Sequence, residues 1–153
     1  MSVKVEDVMH TNVVTIDGKY TARQAAKMMD YRGVSSLIVT SKKKLSGIIT
    51  EKDLCTRVIA KGRDPEHVKV EEIMTEPIFT VKPGSLLESA IQVMLIQGIK
   101  KLPVLGGELG EDLVGILSLT DIVMLYPAMY ASMKTLQESQ PLAAEKGVDF
   151  YIS

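Results

Sequence analysis

The chain has 153 residues, 46% of them hydrophobic, which is the length of one globular unit with enough apolar side chains for a sizeable core. Eighteen Lys and Arg against nineteen Asp and Glu leave a net charge of −1, so no global attraction to nucleic acid or to an anionic membrane arises. One Cys and two His exclude an internal disulfide or a CxxC motif and are too few for a zinc site or a nucleophile–base pair.

The longest apolar run, Ile122–Tyr126, is far too short to span a bilayer. The opening Met-Ser-Val-Lys-Val-Glu-Asp has no apolar stretch of the secretory type, so the expectation is a cytoplasmic chain. Cys55 lies in a helix-like stretch and reads as an inert core or boundary thiol.

In chain order, the β-branched segment Val13–Ile16 predicts a short strand. Thr21-Ala22-Arg23-Gln24 has the form of a capping box, and Gly33 is placed to end the helix it opens. Strands are expected at Leu37–Thr40 and Leu45–Thr50, joined by the basic turn Ser41-Lys42-Lys43-Lys44, which reads as a solvated hairpin tip. A second helix starts near Glu51 and closes at Gly62. Lys61–His67 is rich in breakers and reads as a linker, with His67 solvated in it.

The order then recurs. Ile78–Val81 predicts a strand, Ser85-Leu86-Leu87-Glu88 a capping box, and Gly98 the end of a helix. Strands follow at Leu102–Leu105 and Leu113–Leu117, and a helix runs from about Leu119 until Pro127 closes or kinks it. Tyr126, Met129, Tyr130, Met133 and Leu136 recur at helical spacing, predicting a terminal helix to about Gln140, before Pro141. The tail Asp149–Ser153 is expected to add a short strand or stay disordered.

The recurrence is a duplication. Val5-Glu6-Asp7-Val8-Met9 stands over Val70-Glu71-Glu72-Ile73-Met74 at an offset of 65. That offset holds without a gap to Val39 over Val104, with Thr15/Thr80, Ala25/Ala90, Met29/Met94, Gly33/Gly98 and Leu37/Leu102 identical. It becomes 68 after a longer turn in the second copy, where Leu45, Gly47, Ile48 and Asp53 fall on Leu113, Gly115, Ile116 and Asp121. Two β-α-β-β-α repeats follow, at residues 3–62 and 70–126, with a linker at 63–69 and a helical extension with a tail at 127–153. The fold class expected is α/β (α+β), two repeats packed about a pseudo-twofold axis so that they share a core.

One polar motif occurs in both copies. Gly47-Ile48-Ile49-Thr50-Glu51-Lys52-Asp53 and Gly115-Ile116-Leu117-Ser118-Leu119-Thr120-Asp121 both fit Gly-h-h-[Ser/Thr]-x-x-Asp at a strand-to-helix junction. As pure structure it is close to a capping box. As function, a hydroxyl beside free backbone N–H groups suits a phosphate, and a carboxylate one turn on accepts two hydrogen bonds from a vicinal diol.

These motifs, the Val-Glu-[Asp/Glu]-h-Met openings, and Gly33-Val34-Ser35-Ser36-Leu37 with Gly98-Ile99-Lys100-Lys101-Leu102-Pro103-Val104 before the middle strands resemble a tandem pair of CBS (cystathionine-β-synthase) motifs, a stand-alone Bateman module, over about residues 3–126. The resemblance implies two clefts between the copies, each holding an adenosine nucleotide (AMP, ADP or ATP) or S-adenosylmethionine. It implies Asp53 for the ribose of one ligand, Val14, Val34 and Ser35 beside its base, and Lys100, Lys101 and Ser118 at its phosphate. For the other it implies Asp121 for ribose, Phe79, Ile99 and Lys100 near the base, and Ser35, Ser36 and Thr50 near phosphate. Charge-assisted bonds from two lysines make the Asp53 cleft the expected better site for a phosphorylated ligand.

The leading expectation is a non-catalytic regulatory module with AMP as ligand, no required cofactor, no metal, no membrane and no nucleic-acid partner. It would form a homodimer, with the terminal helix at the interface or wrapped on the partner, and signal to an unidentified effector protein. The alternatives are a ligand-free dimerisation scaffold and an S-adenosylmethionine sensor.

Overall fold

The fold is described from a computed structural model, for residues 2–76 and 79–139. The expected start of the second copy's first strand, the helix end at Gln140 with Pro141, and the tail Asp149–Ser153 lie outside the described residues.

The chain forms two compact units, and these cut across the repeat boundaries. One comprises the described residues of Asn12–Ile78 with Glu111–Leu113; the other combines the described residues of Met1–Thr11, Phe79–Gly110 and Val114–Ser153. Each unit therefore takes its opening segment from the other sequence copy.

In the first unit, β1 (Thr15–Asp17) pairs parallel with β2 (Ser36–Ser41), which pairs antiparallel with β3 (Lys44–Thr50). Between β1 and β2 runs α1 (Ala22–Arg32). Its start is the expected capping box, Thr21 with Gln24, and its end is Gly33 at φ 65°, where a Cβ is disfavoured. The β2–β3 turn places Lys42 and Lys43 both at positive φ, the primed geometry that matches strand twist. After β3 come α2 (Glu51–Leu54) and a π-helical turn at Cys55–Ile59, on which Cys55 is exposed. The linker leads to α3 (Val70–Ile73), whose Val70 N–H donates to the Tyr20 carbonyl at 2.8 Å. The Ala22 N–H donates to the Val68 carbonyl, also at 2.8 Å. Ile16, Ala25, Met29, Leu37, Val39, Ile49, Val58, Val70 and Ile73 are buried together as the core of this unit.

The second unit repeats the arrangement with exchanged parts. The opening turn Val5–Asp7 takes the place that α3 holds in the first, its Val5 N–H donating to the Ser85 carbonyl at 2.9 Å. Then come α4 (Leu87–Gln97), ended by Gly98 at φ 65°, β4 (Lys101–Gly106), β5 (Asp112–Ser118), α5 (Leu119–Leu125) and α6 (Pro127–Glu138). Strands β4 and β5 form a two-stranded sheet, and Val81 adds one parallel bridge to Val104.

The capping box expected at Ser85 is not formed. The cap of α4 is Leu86, with no side-chain bond, and the Leu87 N–H donates instead to the Val3 carbonyl at 2.9 Å. Leu86 is the counterpart of Thr21 at the offset of 65, so the repeat register overrides the local motif. The exchanged opening segment satisfies the backbone that a serine cap would have served.

Helix α6 begins with Pro127 at its first position, after the non-helical Tyr126. The sequence left its apolar face needing a second chain. Instead Met129, Tyr130 and Met133 pack on this unit's own core, the cluster that contains Leu87, Ile91 and Met94. The Gln137 Nε2 donates to the Leu95 carbonyl at 2.7 Å and fixes α6 along α4.

Candidate functional site

Both Gly-h-h-[Ser/Thr]-x-x-Asp segments lie where expected, at the end of a strand and the first turn of a helix. The glycines have a steric cause. A Cβ at Gly47 would sit 2.6 Å from the Met74 Sδ and 2.9 Å from the Thr75 carbonyl oxygen. At Gly115 it would sit 2.7 Å from the Met9 Sδ and 2.9 Å from the His10 carbonyl oxygen. In each unit the exchanged opening segment runs against the glycine and bridges the next residue, Thr75 to Ile48 and His10 to Ile116. The motif glycine is thus the seat of the opening Met.

The pre-strand residues are tied to the same junctions. The Ser35 carbonyl accepts from the Glu51 N–H at 3.1 Å, and the Lys100 carbonyl from the Leu119 N–H at 2.9 Å. The first unit holds Val14, Val34, Ser35, Ser36, Thr50 and Asp53 together. The Val14 carbonyl accepts from Ile38, Ser36 lies opposite Thr50 across the sheet, and Val34 packs on the core. Val34 and Ser35 also line a shallow cavity of about 470 Å³ with Met29, Asp30, Glu51 and Leu54. The second unit holds Phe79, which is exposed, Ile99 on the core edge, exposed Lys100, half-buried Lys101, buried Ser118 and half-buried Asp121.

The two aspartates differ. Asp53 is 6% exposed, and its carboxylate is committed. Its Oδ2 accepts from the Thr50 N–H at 2.9 Å and the Thr50 hydroxyl at 3.1 Å, and Thr50 Oγ1 accepts from the Asp53 N–H at 3.3 Å. Its Oδ1 accepts from the Thr75 hydroxyl at 3.3 Å and lies 3.7 Å from the Arg57 Nε. Arg57 also donates to the Ile73 and Met74 carbonyls at 2.9 and 2.8 Å, binding the π-turn to the opening segment of copy two. Around Asp53, then, the capping reading of the motif is realised in full.

Asp121 makes no such box with Ser118, and its side chain is 31% exposed. Its Oδ2 pairs with the His10 Nε2. No local motif in the sequence marks Arg57, Thr75 or His10 as partners of these aspartates. The repeat register was the signal available: it sets His10 on Thr75, and Arg57 on Leu125.

A second charged cluster spans the linker and α3. The Glu66 N–H and the His67 ring hold the Asp64 carboxyl below the ordinary carboxylate value. The Lys69 N–H, at 2.7 Å, and Arg63 do the same for Glu72. His67 is solvated there, as the sequence suggests. Among the described residues no helix is long and apolar enough to cross a membrane.

The CBS domain profile matches residues 5–60 and 70–128. The chain belongs to the CBS domain family. The CBS domain-containing protein YhcV of Bacillus subtilis is 32% identical over 78% of this chain and 83% of its own length. The hexameric CBS-CP12 protein from bloom-forming cyanobacteria is 34% identical, with a TM-score of 0.73 over 82% of this chain and 73% of that one. The CBS domain pair of MJ0100, solved in complex with methylthioadenosine and S-adenosylmethionine, has a TM-score of 0.73 over 83% of this chain and 98% of that one. At 24% identity it supports the fold alone. CBS pairs are regulatory ligand-binding modules, and this chain carries the pair.

Proposed function

We propose that this CBS pair binds an adenosine-containing ligand, AMP foremost and ADP or ATP next, as a non-catalytic cytoplasmic regulator. The observation that carries this reading is Asp121. It is a carboxylate at the motif position, half-exposed and outside any capping box, and it suits a vicinal diol. The family resemblance assigns Phe79, Ile99 and Lys100 to its base and Ser35, Ser36 and Thr50 to its phosphate. It assigns Asp53 the second ribose, with Val14, Val34 and Ser35 for base and Lys100, Lys101 and Ser118 for phosphate. S-adenosylmethionine, present in the solved MJ0100 pair, is tested beside the nucleotides.

Signalling proceeds by a ligand-driven change in the population of conformers, passed to an effector protein. A homodimer is proposed as the working form. The apolar side chains of Val123, Met124 and Leu125 on α5 and Leu136 on α6 remain exposed and suit a second copy. The saturated Asp53 favours a second reading for copy one, that of a structural junction without ligand.

Thermal unfolding with AMP, ADP, ATP and S-adenosylmethionine tests the proposal. A ligand at a hundred times its Kd stabilises by about 2.7 kcal/mol, which raises Tm by several degrees at this size. An upward shift with one of the four supports the reading. No shift with any of them favours the scaffold.

A further inference from the structure

We infer that His10 is a specificity-determining residue of the Asp121 site and makes ligand binding there respond to protonation. This rests on the proposed adenosine-ligand reading. Three observations carry it. First, the His10 Nε2 pairs with the same Asp121 carboxylate that would take the diol. Second, the pair is open to solvent, with the His10 side chain 60% exposed, so an incoming ligand and a proton both reach it. Third, the pairing belongs to one unit. At the equivalent place in the first unit Thr75 meets Asp53 through a hydroxyl that does not titrate, and Arg57 holds that carboxylate as well.

The surroundings of His10 leave Asp121 as its partner. On its own segment Asp7 is turned back to the Lys4 N–H, at 2.9 Å, and Glu6 is exposed. Strand β5 meets His10 through the Ile116 backbone, with both bonds at 2.9 Å. Its charged residue, Asp112, begins the strand, four residues before Ile116. Helix α5 contributes Asp121 as its charged residue, and the cation on the adjoining chain is Lys100.

Imidazole changes charge between about pH 5 and 8. Protonated, His10 holds the Asp121 carboxylate through a charge-assisted bond that a diol must share or displace. Neutral, it holds the carboxylate through an ordinary bond or, in the other tautomer, not at all. A charge-assisted bond is roughly twice as strong as a neutral one. Because the pair is open to solvent and screened, acid weakens the affinity for a neutral diol by about two- to fivefold.

The probe is adenosine, which bears no group that titrates in this range, measured by calorimetry at about pH 5.5 and about pH 8. His10→Thr, which installs the residue found at the equivalent place in the first unit, is measured in parallel. The two histidine ring signals are followed by NMR, with His67 in the linker as the internal reference. The expected result is weaker binding at acid pH in the wild type, no such difference in His10→Thr, and adenosine moving the His10 signals while those of His67 stay fixed. Binding that is independent of pH in the wild type, or equally dependent in His10→Thr, or that leaves the His10 signals unmoved, overturns the role of His10 and leaves the ligand reading standing. If adenosine, AMP, ATP and S-adenosylmethionine all fail to bind at about pH 8, where the pair is weakest, the ligand reading itself fails and the role of His10 with it.

Discussion

Replacing Gly115 with Ala puts a methyl carbon 2.9 Å from the His10 carbonyl oxygen and 2.7 Å from the Met9 Sδ. An ordinary contact needs about half an ångström more. The sulfur can swing aside, because methionine is flexible. The carbonyl cannot, because His10 and Ile116 exchange two backbone bonds of 2.9 Å across the same point. Overpacking of this kind costs about 1–3 kcal/mol. The backbone at Gly115 is not in the left-handed region, so alanine also restricts the unfolded chain and returns about 0.4–1 kcal/mol. The net expectation is a loss of about 1–2 kcal/mol, or several degrees of Tm at about 2–4 °C per kcal/mol. Gly84→Ala is the control, since its Cβ would meet nothing within 4 Å, and it should be neutral or slightly stabilising. Urea unfolding followed by far-ultraviolet circular dichroism reads both. If Gly115→Ala proves as stable as Gly84→Ala, the seat of the opening segment on the motif glycine is wrong, and Gly47 loses its explanation too.

Three further outcomes follow from the same geometry. Thr21→Ala removes a formed cap and should cost about 1 kcal/mol, whereas Ser85→Ala, which removes no cap bond, should stay within about 0.5 kcal/mol of wild type by urea midpoint; equal losses would contradict the register argument. Arg57→Ala breaks two bonds to the Ile73 and Met74 carbonyls and should destabilise by about 1–2 kcal/mol after allowance for solvent exposure, while Leu125→Ala at its exposed counterpart should do little in the same titration. Asp64 and Glu72 are held below the ordinary carboxylate value, so the stability they add is present above that value and is lost as pH falls through their lowered one; Asp64→Asn and Glu72→Gln should flatten the acid limb of Tm against pH, and an unchanged limb would remove the linker cluster from the account.

The duplication was legible because its two copies stay in register at the residues with steric duties: Gly33 and Gly98 at helix ends, Gly47 and Gly115 under the opening Met. The Thr21 cap was legible because it is local. The Ser85 box failed for the opposite reason. A four-residue motif cannot report that Val3, more than eighty residues earlier, already supplies the acceptor. The exchange of opening segments between units is non-local in the same way, and no periodicity encodes it.

The state of the two aspartates was hidden for a related reason. Asp53 and Asp121 look alike in sequence, but their partners come from other elements: Thr75 and Arg57 for one, His10 for the other. The apolar face of α6 is legible in the helical spacing of Met129, Tyr130 and Met133. What the spacing did not contain was that α4, in the same chain, would cover it.

Calorimetric titration of the wild-type chain and Asp121→Ala with AMP, ADP, ATP and S-adenosylmethionine tests the central claim most directly. The account predicts saturable binding of at least one of the four by the wild type. It also predicts a loss of about tenfold or more, equivalent to about 1.4 kcal/mol, in an Asp121→Ala chain that keeps its cooperative unfolding. Absence of saturable heat with all four up to about 1 mM, or undiminished binding in Asp121→Ala, would contradict it.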